Sequence, residues 1–145
     1  MIFGIETGAE ASFAKTLTER DLLLTAEITG DHDPLHVDAD YAARTPYGQR
    51  IAHGALVLGL LSATASAMAQ RAIAAGAEAV PVSIGYDRVR FLAPAFIGDS
   101  LTARYRVDSL DAARRRSEAA CEVVNQKGEV CLVARHLMKW LPRPG

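Results

Sequence analysis

The sequence predicts a single α+β domain in which an antiparallel sheet covers a long apolar helix, and three observations carry that prediction. The first half of the chain has helical punctuation, with a cap signal at Thr18 and a glycine stop at Gly30. An uncharged run over residues 54–69 follows. The second half changes to runs of branched and aromatic residues with partial alternation, broken by turn residues. Helices first and a strand meander after them are the element order of an α+β fold. At 145 residues the chain fits one domain, residues 1–145, whose core needs no disulfide or metal support.

The elements follow in order. A first strand is expected near residues 12–17. Thr18 then stands at an N-cap position, with Asp21 three residues on and Leu22, Leu23 and Leu24 after it, so a helix runs to about Ile28 and ends at Gly30. Asp31-His32-Asp33-Pro34 cannot continue that helix, because Pro34 lacks a backbone donor and pushes Asp33 out of the helical region, and a tight loop is expected. A short helix near residues 39–44 leads through Pro46 and Gly48 to Ile51-Ala52-His53-Gly54, where the long helix begins. That helix is apolar on nearly every side, which predicts other structure all around it. Its uncharged run is shorter than the roughly 20 residues of a membrane span and contains Ser62, Thr64 and Ser66. Strands are expected over residues 82–91, 101–107, 115–124 and 130–140, with turns at Pro94, Gly98-Asp99, 108–111 and 125–128.

Composition narrows the partners. Sixteen basic residues against seventeen acidic ones give a net charge of −1, so no global field gathers nucleic acid or an anionic membrane, and neither is expected as a partner. Cys121 and Cys131 lack the paired spacing of a zinc site or the density of a secreted scaffold. Residues 1–6 have no basic segment and no sustained apolar core, so no export signal is read there and a cytoplasmic protein with reduced thiols is expected.

The segment from Asp31 to Asp38 concentrates three carboxylates and two imidazoles. A carboxylate with an imidazole is the usual pair for moving protons near neutral pH, and loops held between rigid elements often carry it. Asp residues also cap helices and make turns, which is the plainer explanation of such a loop. A metal site at His32 and His36 is disfavoured, because four-residue spacing aligns two imidazoles only on a helix and Pro34 lies between them. His53-Gly54 is the second feature. Amides at a helix start are unsatisfied and partly positive, and Gly54 admits a ligand close to the main chain, so a carbonyl oxygen gaining charge would be stabilised there. His53 itself is read either as a ligand contact or as a packed or capping residue.

The order Asp31-x-x-Pro34-Leu35-His36-x-Asp38, then Ile51-Ala52-His53-Gly54, then Arg90-Phe91-x-x-Pro94-x-x-x-Gly98-Asp99 resembles the MaoC-like R-specific enoyl-CoA hydratases. The resemblance implies a hot-dog fold, a long helix wrapped by a curved antiparallel sheet. It implies a homodimer or a higher oligomer of dimers, with an acyl-CoA thioester bound between subunits. It implies Asp31 and His36 as the catalytic pair, with Ser62 supporting the carboxylate, and the Gly54 amide, beside His53, polarising the thioester carbonyl. No cofactor and no metal is implied. The sequence departs from the family at Asp33, where Asn is usual; both residues suit a turn. A hot-dog acyl-CoA thioesterase and a non-catalytic acyl-thioester-binding subunit are the competing expectations. Arg88, Arg90, Arg104, Arg106 and Arg114 to Arg116 are candidates for coenzyme A phosphates, although alternating arginines on strands more simply form a solvated face.

Overall fold

A computed structural model describes residues 3–144. Strand β1 spans Glu10–Thr16 and helix α1 Glu19–Thr29; two short helices, α2 (Pro34–Val37) and α3 (Ala39–Ala43), precede the long helix α4 (Gly54–Ala74). Four strands follow: β2 (Ala79–Phe91), β3 (Ser100–Asp111), β4 (Arg116–Val124) and β5 (Val130–Pro142). They and β1 form one antiparallel sheet in the order β1-β3-β4-β5-β2.

Alternation sorts the sheet's two faces. Leu101, Ala103, Tyr105 and Val107 of β3, Ala119, Cys121 and Val123 of β4, and Leu132, Ala134, Met138 and Trp140 of β5 point into one core with Val57, Leu60, Leu61, Ala65, Met68 and Ala72 of α4. The sheet therefore packs along α4, the hot-dog arrangement that the resemblance implies.

Local chemistry accounts for the ends of α1. Thr18 and Asp21 form a reciprocal capping box, and Gly30 closes the helix in the left-handed conformation at φ 79°. Three expectations need correction. Pro34 does not leave a plain loop: it sits at the first position of α2, where its missing N–H costs nothing, and Asp33 caps that turn by accepting from Leu35 N at 2.9 Å. The turn expected at 108–111 lies later, at 112–115, because a bulge between Val107 and Ser109 lets β3 run on to Asp111. Helix α4 is not surrounded: Ala55, Gly59, Ser62, Ser66 and Gln70 form an exposed stripe within this chain.

Contrary to the expectation from its uncharged run, α4 has 21 residues at a mean hydropathy of 1.3 and is long and apolar enough to cross a membrane. Packing accounts for its composition instead, since Leu61 and Ala72 are fully buried within this chain.

Candidate active site

The site forms where three segments meet ahead of α4. Ala52 N–H donates to Ala95 O at 2.8 Å and Ile51 bridges Phe96, which fixes residues 51–53 against the β2–β3 connection. Ile51 N–H in turn donates to Leu35 O at 3.3 Å, which brings α2 alongside.

His36 is held by its own ring. Its Nδ1 lies 2.7 Å from Ile51 O. A carbonyl only accepts, so the proton of the neutral ring is on Nδ1 and the lone pair is on Nε2. That nitrogen faces Asp31 Oδ2 at 3.9 Å, with the His36 side chain mostly buried and that of Asp31 half exposed. Asp31 is fixed from its other side: Oδ1 accepts from Asp33 N at 3.2 Å, and its own N–H donates to Thr29 Oγ1 at 3.2 Å. The gap of 3.9 Å is too long for a direct hydrogen bond, and two acceptors cannot bond each other. A water between them can donate to both.

Gly54 begins α4. Leu56 and Val57 N–H donate to His53 O at 3.0 and 3.2 Å, whereas the Gly54 amide has no backbone acceptor among the described residues. Gly54, His36, Tyr47, Val57, Phe91 and Cys131 line a cavity of about 280 Å³, together with Ile51, Ala52 and residues 92–95. The cavity thus joins His36 and Gly54 within one largely apolar wall, where a hydrogen bond to developing charge is strengthened. Burial, with the Glu129 and Asp99 carboxylates adding to it, pushes the Cys131 thiol up, so it stands in the wall as a neutral group and not as a thiolate nucleophile.

The structure thus brings Asp31, His36, His53 and Gly54 together. His53 does not line the cavity; its ring is 2% exposed, stacks on His36 with centroids 3.9 Å apart, and reaches Asp31 O through Nε2 at 3.0 Å. Ser62 is not brought in: it lies on the exposed stripe of α4, and its hydroxyl bonds neither Asp31 nor His36 within this chain. Of the apolar residues in the first turns of α4, Val57 lines the cavity, whereas Leu56 and Leu60 do not.

His32 does not pair with His36 as a metal ligand; its Nδ1 turns back to Gly30 O at 3.3 Å. Asp31, His36 and His53 do offer ligand atoms within 4.8 Å of one another. The two rings are stacked at 26°, however, which sends their lone pairs side by side and not onto one point.

Three residues of the site were missed in the sequence: Ile51, which acts through its carbonyl, and Tyr47 and Phe91, which line the cavity. Carbonyl contacts leave no mark on residue type. The arginines divide. Arg104 and Arg106 pair with Glu122 and Asp108 on the outer sheet face, beside a groove of about 990 Å³ that shares no lining residue with this cavity, and Arg114 pairs with Asp111. Arg88 and Arg90 form no ion pair among the described residues.

Known proteins of similar sequence and fold point to one family. The family model described as MaoC like domain matches residues 3–128. A 3-hydroxybutyryl-CoA dehydratase of Methylorubrum extorquens is 38% identical over 117 residues, which cover 81% of this chain and 69% of that protein. An (R)-specific enoyl-CoA hydratase of Rhodospirillum rubrum is 41% identical over 106 residues, covering 73% of this chain and 68% of that one. Among solved structures, the unliganded R-hydratase PhaJ1 of Pseudomonas aeruginosa superposes with a TM-score of 0.78 at 32% identity, covering 96% of this chain and 84% of that one.

Proposed function

Since the chain belongs to the MaoC-like domain family, we propose that it is a hydratase that reversibly adds water across the 2,3 double bond of an enoyl-CoA, giving an (R)-3-hydroxyacyl-CoA. The named activities of its relatives support the reaction and its stereochemistry. The observation that carries the assignment of residues is the opposed pair of acceptors, His36 Nε2 and Asp31 Oδ2, beside a cavity that His36 and Gly54 both line.

Hydration needs three things. A water must lose a proton as its oxygen bonds C3, the electrons displaced from the double bond must rest on the thioester oxygen, and a proton must then reach C2. A water donating to both His36 Nε2 and Asp31 Oδ2 has its lone pairs turned outward, towards C3. The proton it gives up is held by this pair and returned to C2, so nothing is consumed but water. The Gly54 N–H, at the positive end of α4, stabilises the enolate-like oxygen; a lost donor of this kind costs about 3 kcal/mol in other enzymes.

We propose further that the chain self-associates through β2. Among the described residues this strand pairs only with β5, so its other edge is open, and Val80, Val82, Ile84, Phe91 and Leu92 are exposed on or beside it. Long apolar edges of this kind are normally covered.

The test is chemical. Purified protein is incubated with 2-enoyl-CoAs of graded chain length, and the products are separated by mass. Gain of one water with the thioester intact supports the reading; release of free coenzyme A without hydration overturns it.

A further inference from the structure

His53 is a histidine at a place where none of the ordinary reasons for a histidine applies. It is 2% exposed, so it does not serve solvation. It stands at the N-cap of α4 but makes no side-chain capping bond. It is absent from the cavity wall, so it meets no ligand there. Its Nε2 lies 3.0 Å from Asp31 O, and because a carbonyl only accepts, the proton of the neutral ring is on Nε2. Nδ1 is then a buried lone pair, and it has no hydrogen-bond partner among the described residues. A residue that only filled this space would do so better without that orphaned nitrogen, and an unpaired buried polar atom in a functional region marks a constraint.

Two contacts remain, and both go to the catalytic pair. The Nε2–H bond ties the backbone of Asp31 to the start of α4 across 22 positions. The ring face lies against His36, with centroids 3.9 Å apart and planes at 26°. His36 is otherwise held at the single atom Nδ1, about which its ring could pivot. Resting on the hydratase reading, we propose that His53 is a positioning residue, a fixed spacer that sets the Asp31 backbone and the His36 ring relative to each other and so maintains the 3.9 Å spacing at which both acceptors can reach one water beside them. It touches neither water nor thioester.

Three substitutions separate the two contacts. His53→Gln places an amide donor the same number of bonds from the backbone and keeps the tie to Asp31 O without the ring. His53→Phe keeps a stacking face without the donor, and His53→Ala removes both. With an enoyl-CoA that the wild type hydrates, kcat is expected to fall about 100-fold in His53→Ala and about 10-fold in each of the other two, with KM within about 3-fold throughout, because misplacement by about an ångström is enough for losses of this size. His53→Phe is expected to melt no lower than wild type, since it removes the orphaned nitrogen. Unchanged kcat in His53→Ala, or a rise in KM at constant kcat, overturns the proposal, as does a loss of kcat in His53→Phe that merely accompanies a loss of Tm. Nitrogen NMR of the wild-type imidazoles gives an answer independent of turnover: a proton on Nε2 of His53 is expected, and one on Nδ1 overturns the tether. A wild type that hydrates no enoyl-CoA defeats the hydratase reading, and the tautomer then still decides whether His53 holds Asp31.

Discussion

The ring of Phe91 occupies the space that a side chain on Gly54 would need: a Cβ there would lie 2.6 Å from Cζ of the ring. Phe91 is 60% exposed, so the ring can swing away and the backbone need not move. Gly54→Ala is therefore expected to fold normally while displacing Phe91 across the cavity and lowering kcat/KM. Adding Phe91→Ala should recover part of that loss. A double-mutant cycle on kcat/KM checks it, with a coupling of about 1 kcal/mol or more expected; strict additivity would show that the two do not share the space during turnover.

His136 sets an acid limit on stability. It is fully buried on β5 between two hydroxyls, Ser83 Oγ at Nε2 and Tyr105 Oη at Nδ1, each at 2.7 Å. Both are satisfied by a neutral ring, and burial pushes its pKa down from 6.5 to about 4. The unfolded chain binds a proton at this histidine below about pH 6.5 while the folded one does not, so stability present above that value is lost as pH falls towards 4. Urea unfolding midpoints at pH 7 and pH 4.5 check this. The wild type is expected to lose more stability over that interval than His136→Gln, whose side chain does not titrate; equal losses would contradict the assignment.

Two glycines with nearly the same backbone should respond differently to the same change. Gly4 at φ +75° faces the backbone of α4, where a Cβ would lie 2.6 Å from Ala72 O, whereas Gly128 at φ +76° has open space. Gly128→Ala is expected to cost about 1 kcal/mol for the left-handed conformation alone. Gly4→Ala adds a clash with a backbone that cannot yield, and should cost roughly 2 kcal/mol more. Thermal unfolding of both variants measures the difference.

The open edge of β2 gives a prediction about assembly. Val82→Lys places a charge on the exposed face of this strand, one of the devices by which edge strands resist pairing. Light scattering on a sizing column is expected to show a larger species for the wild type and a smaller one for the variant. Identical masses would move the interface elsewhere.

Signals that act within a few residues were legible in the sequence. The Thr18–Asp21 box, the Gly30 stop and the start of α4 at Gly54 each depend on neighbouring residue types, and the strand runs follow from alternation. Pro34 shows where such reading falls short, because proline breaks a helix interior but also suits its first turn, and only the Asp33 cap decides between them. Asp31, His36 and Gly54 came forward through their order along the chain. What could not be read was how they are held. The bonds from His36 to Ile51 O and from His53 to Asp31 O close across long loops onto carbonyls that every residue possesses. Which way Ser62 faces was not legible for a related reason: two helical turns fix its height on α4 but not which face the sheet of the same chain leaves open.

The pairing of Asp31 with His36 across 3.9 Å is most directly tested by turnover of the two single variants on an enoyl-CoA that the wild type hydrates. Asp31→Asn and His36→Gln keep size and hydrogen-bonding capacity but remove the proton-accepting role, and each is expected to lower kcat by about 10²-fold to 10⁴-fold with the fold intact. Turnover at the wild-type rate in both variants would contradict the account.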